Sequence, residues 1–338
     1  MRNWMESELD PSDIVINTSM SLGRNFNDNK FTDKMKDDEA RSYVDNIFNI
    51  ISNKLYDDDL ELIKLWEIDA NNIEMYKDMQ IINNKLIERK DKSAFIVNKN
   101  QTLSIMINEE ENLRIQCIVD GLNLENINEY INKVDDYIGK DMSYAFSDRY
   151  GYISSNPANL GTGFKVCAIL HLPGITKSGE MENVDKSLNE AGIVIEGLYG
   201  ERLNSTGNIY KIYNKPSICS NEKQIIESMR DTIYDIISAE KKCREIMLLE
   251  HKYQLEDKIY RAYGILKNAR ILKEKEALEL LSDIKLGSEL GFLNINKRIL
   301  NYIMVKTKDS FINTKNNLEA NDFDIDIERA KVMRTLLD

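Results

Sequence analysis

Two short apolar runs, residues 103–107 and 113–119, constrain this chain more than any other stretch. Hydrophobic and other side chains alternate along both, as in strands with one face against a core. Between the runs lies Glu109-Glu110-Glu111, at the point where one strand stops and the next begins. Carboxylates there can converge on a cleft. Arg114 follows within the second run. Acids that can grip a cation, beside an arginine that can grip an anion, predict a site for one cationic and one anionic substrate.

Composition narrows the classes. With 338 residues, 42% hydrophobic and 30% charged, the chain is long enough for one large or two ordinary globular domains. A net charge of −12 disfavours nucleic acid as the main partner. Cys117, Cys167, Cys219 and Cys243 are widely spaced and no pair has C-x-x-C spacing, while His171 and His251 are the only histidines. Neither a zinc site nor a redox dithiol is expected, so no metal ligands are assigned and the thiols are read as reduced. No apolar leader and no membrane-length run stand out, which predicts a cytoplasmic, non-membrane protein.

Along the chain, residues 13–26 read as a strand ending in a polar turn, and residues 37–56 as an amphipathic helix. Residues 57–59 read as a solvated break. Residues 71–92 are polar and rich in Asn and Lys, with the character of a loop or linker. Residues 95–97, 103–107 and 113–119 predict neighbouring strands of an antiparallel sheet. Residues 123–145 predict a helix, 151–157 a strand, 164–172 a buried central strand, 183–191 a short helix, and 192–199 and 208–213 two more strands. From residue 222 onward the pattern is helical (222–252, 254–270, 274–284, 294–305 and 325–337), with residues 309–324 as the expected exposed loop. The fold class is therefore α+β: a domain over 13–243 with an antiparallel sheet flanked by helices, then an all-helical domain over 244–338.

The motifs carry a resemblance. Asn108-Glu-Glu-Glu-Asn-Leu-Arg-Ile-Gln116, Val134-Asp-Asp136, Pro157-Ala-Asn-Leu-Gly-Thr-Gly163, His171-Leu-Pro173, Tyr199-Gly-Glu201, Gly207-Asn-Ile209, Tyr263-Gly-Ile-Leu266 and Leu280-Leu-Ser-Asp-Ile-Lys-Leu-Gly287 run nearly the whole length, with Ser12-Asp-Ile-Val15 at the start. In these the chain resembles the bacterial protein-arginine kinases, relatives of creatine and arginine kinase among the ATP:guanidino phosphotransferases. The resemblance implies a phosphagen-kinase-like catalytic domain, and a helical domain that dimerises and reads phosphoarginine. It implies phosphoryl transfer from Mg-ATP to an arginine guanidinium of a protein, in stress response and protein quality control. The implied partners are arginine-containing protein substrates or phosphoarginine proteins, a zinc-binding activator protein, a Clp-type unfoldase and protease, a stress-gene repressor and a second copy of the chain.

Residue by residue, the resemblance assigns the guanidinium-aligning carboxylates to Glu110 and Glu201. Of five phosphate-binding arginines it matches one, Arg114. The other four positions hold Ser19, Ser21, Lys165 and Glu196, and the active-site cysteine position holds Asn156. A nucleotide-contacting histidine expected near residue 80 has no counterpart. Lys165 keeps charge without the arginine fork, the serines lose charge, and Glu196 reverses it. Arg24, Arg202 and Lys211 are the candidate substitutes. In the tail, a phosphoarginine-reading R-D-x-x-R-A pattern becomes Ile325-Asp-Ile-Glu-Arg-Ala330, leaving Asp326 and Arg329 either as a weakened pocket or as a plain i,i+3 ion pair. Three functions follow as expectations: a catalytically impaired or pseudokinase member of the family, an active kinase with a rewired nucleotide pocket, or a non-catalytic reader of arginine or phosphoarginine.

Overall fold

A computed structural model describes residues 4–5, 14–55, 59–216, 220–316 and 322–337. Cys219, most of the 57–59 break and the first two residues of the Ser12–Val15 motif fall outside these. Eight strands form one sheet, in the spatial order β2-β3-β4-β5-β1-β8-β12-β9. They are β1 (Val15–Arg24), β2 (Leu60–Lys64), β3 (Ala94–Asn98), β4 (Leu103–Ile107), β5 (Leu113–Asp120), β8 (Phe164–His171), β9 (Ile193–Gly197) and β12 (Ile209–Asn214). Every pairing in it is antiparallel. Two small hairpins stand apart, β6 (Phe146–Ser147) with β7 (Gly151–Tyr152), and β10 (Gly200–Glu201) with β11 (Asn204–Ser205).

The period of two decides what each face of the sheet does. Met20 and Leu22 of β1, Leu113, Ile115 and Cys117 of β5, Val166 and Ala168 of β8, and Tyr210 and Ile212 of β12 enter one buried cluster. It is closed by α1 (Asp37–Lys54), α4 (Leu124–Gly139), α6 (Met181–Glu190) and the first part of α7 (Glu222–Asn268). The intervening residues face the other way. There Met106, Ile118, Ile169 and Ile209 pack into a second cluster, which includes the later half of α7, α8 (Glu274–Glu289), α9 (Lys297–Lys306) and α11 (Asp322–Leu337). The helical tail thus covers part of the same sheet face that carries the polar side chains discussed below.

Four expectations change. Most of the presumed polar turn ending the 13–26 stretch is strand: β1 runs to Arg24, paired with both β5 and β8. Residues 71–92 contain α2 (Ala70–Asp78) and α3 (Asn84–Ile87), each started by a side-chain cap, Asp69 accepting from Asn72 N and Asn83 from Leu86 N. Within the expected 309–324 loop lies α10 (Asp309–Asn316), held by buried Phe311 and Ile312. The helices expected over 222–252 and 254–270 are one 47-residue element, α7, bent where His251 leaves helical geometry (φ −134, ψ 31). The residue 243/244 boundary therefore lies inside a helix, eight residues before the bend. Between α4 and α6 the chain also forms α5 (Pro173–Ser178). No helix among the described residues is long and apolar enough to cross a membrane.

The acidic turn depends on one backbone choice. Asn108 has φ 61, and its N–H donates to Asn112 O at 3.1 Å, closing the turn between β4 and β5. Its Nδ2 donates to Ala40 O (3.1 Å) and Lys92 O (3.0 Å). Asparagine tolerates this region, whereas a β-branched residue does not. Asn108→Val is expected to lower stability by about 2 kcal/mol through strain alone, and by more once the two amide bonds are counted. Urea denaturation of the variant measures it.

Candidate active site

Strand register gathers the site. Ser21 sits opposite Gln116 on β5 and Lys165 on β8, and Ser19 opposite Cys167. Lys211 pairs with Glu196 across β12 and β9, and Tyr213 faces Cys167. These side chains form the floor of a cleft of about 840 Å³. One wall is the 77–85 segment, with Lys77, Asn83 and Lys85; the acidic turn and the 152–165 loop complete it. That loop is pinned to β1: Gly23 N donates to Gly163 O at 2.9 Å, and Arg24 Nη1 to Thr162 O at 3.0 Å. Gly163 has φ +62 and a Cβ there would meet Gly23 O at 2.6 Å, so this approach requires glycine.

The three carboxylates of the turn have separate partners. Glu109 is 1% exposed, accepts from Asn83 Nδ2 (2.7 Å) and the Glu110 N–H (2.7 Å), and pairs with Arg114 Nε at 3.1 Å. Burial acts to raise its pKa, but Arg114 and the two hydrogen bonds outweigh that and hold it below the usual carboxylate value. Glu111 accepts from Asn25 Nδ2, Ser154 Oγ and the Ser155 N–H, fastening the 152–165 loop. Glu110 points into the cleft. It accepts from Lys85 Nζ, from Asn159 Nδ2 (2.9 Å) and from Asn156 Nδ2 (3.2 Å). Partial burial acts against its charge, yet Lys85 and Asn156 keep its pKa lowered.

The expected phosphate-binding positions, Ser19, Ser21, Arg114, Lys165 and Glu196, all line this cleft. Their charges are largely spoken for. Arg114 faces Glu109, and Lys211 lies 3.8 Å from Glu196, which also accepts from Tyr213 Oη at 3.4 Å. Lys165 makes no ion pair among the described residues; its Nζ sits 3.7 Å from the centre of the Tyr213 ring. Burial, and then Lys211, lower its pKa to about 8.

Three residues expected at the site do not line this cleft. Glu201, expected beside Glu110, is exposed on the β10–β11 hairpin and does not line the cleft, because the hairpin turns its tip to solvent while Gly197–Tyr199 supply the lining. Arg24 cannot substitute in the clamp: it is buried, bonds Asp135 through Nε and Nη2 (2.7 Å), and stacks over the Tyr152 ring at 3.5 Å. Arg202 is exposed beside Asp185, away from the lining. Lys211 alone of the three lies in the cleft.

Asp326 and Arg329 do form an i,i+3 pair, but Arg329 does more than that. It is 1% exposed and donates to Thr307 O (2.8 Å), Leu272 O (2.7 Å), Asp326 and Asp309. All three of its nitrogens are engaged in joining α10, α11 and the start of α8. Among the described residues Arg329 is thus held within the fold rather than left free, and Ile325, in the motif's first arginine position, is buried.

The sequence reading missed Lys85, Asn83 and Asn159 as site residues. Asn83 carried a legible signal, an Asx cap three residues before Leu86. Asn159 stands in the Pro157–Gly163 motif; Lys85 carried no signal, since its proximity to Glu110 is set only by tertiary packing.

An all-antiparallel eight-stranded sheet with a charged cleft on one face and an acidic turn at its edge defines a phosphagen-kinase-like α+β protein. Solved structures share the fold: a duplicated taurocyamine kinase from Schistosoma mansoni with bound transition state analog components (TM-score 0.61, 23% identity, 69% of this chain and 34% of that one), and lombricine kinase (TM-score 0.58, 19% identity, 70% of each). Residues 42–243 match the profile of the ATP:guanido phosphotransferase C-terminal catalytic domain, and residues 252–338 that of the protein-arginine kinase McsB C-terminal domain. The chain is 41% identical over 337 residues to a protein-arginine kinase of Clostridium botulinum (100% of this chain, 99% of the relative), and 39% identical to that of Clostridium acetobutylicum (99% of each). It belongs to the protein-arginine kinase family.

Proposed function

We propose that this family member binds arginine guanidinium groups of proteins at Glu110 but is impaired in phosphoryl transfer. The observation that carries the reading is the charge state of the cleft. Phosphoryl transfer depends on positioning and on fixed positive charge around the phosphates. Of the positions that the resemblance assigns to phosphate-binding arginines, two hold serine and a third Glu196, and Arg114 is already matched to Glu109. Among the described residues Lys165 makes no ion pair with a carboxylate and lies over the Tyr213 ring. These residues fit the triphosphate of Mg-ATP poorly, so no transfer step is routed through it. The guanidinium side is better supported, since Glu110 keeps a lowered pKa and lies in the cleft, where a guanidinium fork could donate to it.

One observation favours the active alternative: Lys165, Lys211 and Arg114 do converge on one cleft, and a ligand phosphate could draw Lys211 from Glu196 at their 3.8 Å separation. The two readings differ in a direct assay. Incubated with Mg-ATP and an arginine-rich protein, the chain is expected to yield no phosphoarginine above background by mass spectrometry, and millimolar ATP is expected to leave its thermal midpoint unchanged. Product that disappears in Glu110→Gln would establish the active kinase instead.

A further inference from the structure

Glu110, the carboxylate assigned to the substrate guanidinium, accepts from three donors of this same chain. Lys85 Nζ and Asn159 Nδ2 reach Oε2, and Asn156 Nδ2 reaches Oε1. The two amides belong to the 152–165 loop, which Glu111 fixes through Ser154 and Ser155. Lys85 comes from elsewhere, on α3 in the opposite cleft wall, and its side chain is 48% exposed. The α3 segment is anchored independently of that side chain: Asn83 caps it and bonds Glu109, while Arg89 bonds Asp33 at 2.7 Å. The lysine stem can therefore swing away without moving the wall.

We propose that Lys85 is a resident competitor for the guanidinium site, a cation that an incoming arginine must displace from Glu110. The inference rests on the reading of Glu110 as a guanidinium carboxylate. An ammonium is a point charge and engages one oxygen; a guanidinium presents a planar fork that can take both. Arginine therefore exchanges one charge-assisted bond for two, whereas a substrate lysine exchanges like for like. As an intramolecular ligand, Lys85 weakens every competing cation by one common factor, so it sets the affinity a ligand must exceed and leaves the arginine-to-lysine ratio unchanged. Exposed ion pairs are weak, so that factor is about fivefold rather than a thousandfold.

The test uses the full chain, with Nα-acetyl-arginine amide and its lysine counterpart as probes in NMR titrations. Lys85→Met is expected to tighten both by the same factor, about fivefold, and Glu110→Gln to abolish arginine-amide binding in either background. Acylation of Lys85 by an amine-reactive reagent, read by peptide mass spectrometry, is expected to quicken when the wild-type protein is saturated with the arginine probe. Binding that Glu110→Gln removes but Lys85→Met leaves unchanged or weakens would overturn the competitor while keeping the guanidinium site. Absence of arginine-amide binding in both the wild-type and the Lys85→Met chain would overturn the site itself.

Discussion

Placing arginine at Ser19, Ser21 and Glu196 together is expected to raise phosphoarginine formation about a thousandfold. All three side chains line the cleft, and register places Ser19 and Ser21 beside Cys167 and Lys165 on the adjacent strand. Ser19→Arg and Ser21→Arg each add a charge. Glu196→Arg removes a carboxylate, reverses its sign and releases Lys211 from its 3.8 Å contact. Two unit charges about 4 Å apart at an effective dielectric near 20 interact by about 4 kcal/mol, and a barrier lowered by that amount is roughly three orders of magnitude in rate. Each new arginine also supplies a fork that lysine lacks. The singles are expected to fall well short of the triple, since a clamp acts as a unit. A triple variant that binds Mg-ATP by calorimetry yet forms no more product would place the impairment at the guanidinium side, where Glu201 lies outside the cleft. A wild-type chain already as active as the triple would remove the premise.

How much of this could be read beforehand depended on which face a residue served. The strands around Glu109–Glu111 were legible because Leu103, Ile105, Leu113 and Ile115 alternate toward a core. The second half of β1 looked like a turn because Ser19 and Ser21 face a polar cleft, and a strand with polar cleft residues loses the apolar alternation that announces it. The 77–85 wall was obscured for the same reason: its Asn and Lys side chains point into the cleft, so composition resembled a loop. Asp309 fell in an expected exposed loop, yet it accepts from Arg329, and no local pattern reports a partner twenty residues away. The positions that the resemblance assigned to phosphate, Ser19, Ser21, Arg114, Lys165 and Glu196, all line one cleft; the motifs gave no hint that Arg114 would be matched to Glu109, or that Lys85 would cover Glu110.

The second large effect is expected at Arg244, where the helical tail meets the sheet. Its Nε donates to Glu240 (2.6 Å), Nη1 to Glu289 (2.7 Å) and Nη2 to His171 O (3.3 Å), all buried. Glu240 also accepts from the N–H groups of Gly174 and Ile175 (2.8 Å each), starting α5, while Lys285 reaches Glu289 at 2.7 Å. Arg244→Met leaves Glu240 without its cation and Glu289 with one fewer, and removal of one partner from a buried network costs about 3–5 kcal/mol. Arg244→Lys keeps the charge but cannot span three acceptors, so an intermediate loss is expected. The network also fixes the direction of pH dependence. Glu289 is buried, which alone would raise its pKa, but Lys285, His171 and Arg244 hold it far below the ordinary 4.5. Its contribution is complete above that value and is lost as the pH falls below it toward the depressed folded value. Burial lowers the pKa of His171 from the ordinary 6.5, so the unfolded chain takes up a proton there that the folded chain refuses. Stability should therefore begin to fall below about pH 6.5 and fall again below about pH 4.5. Urea midpoints measured from about pH 7.5 to about pH 4 test both stages. His171→Gln should remove the first and retain the second; a midpoint flat through the first window in the wild-type chain would mean that His171 does not stay neutral in the fold. Because His171 ends the strand that carries Lys165 and Cys167, weakening this joint should also loosen the cleft floor, and arginine-probe affinity should decline in Arg244→Met even where the chain remains folded.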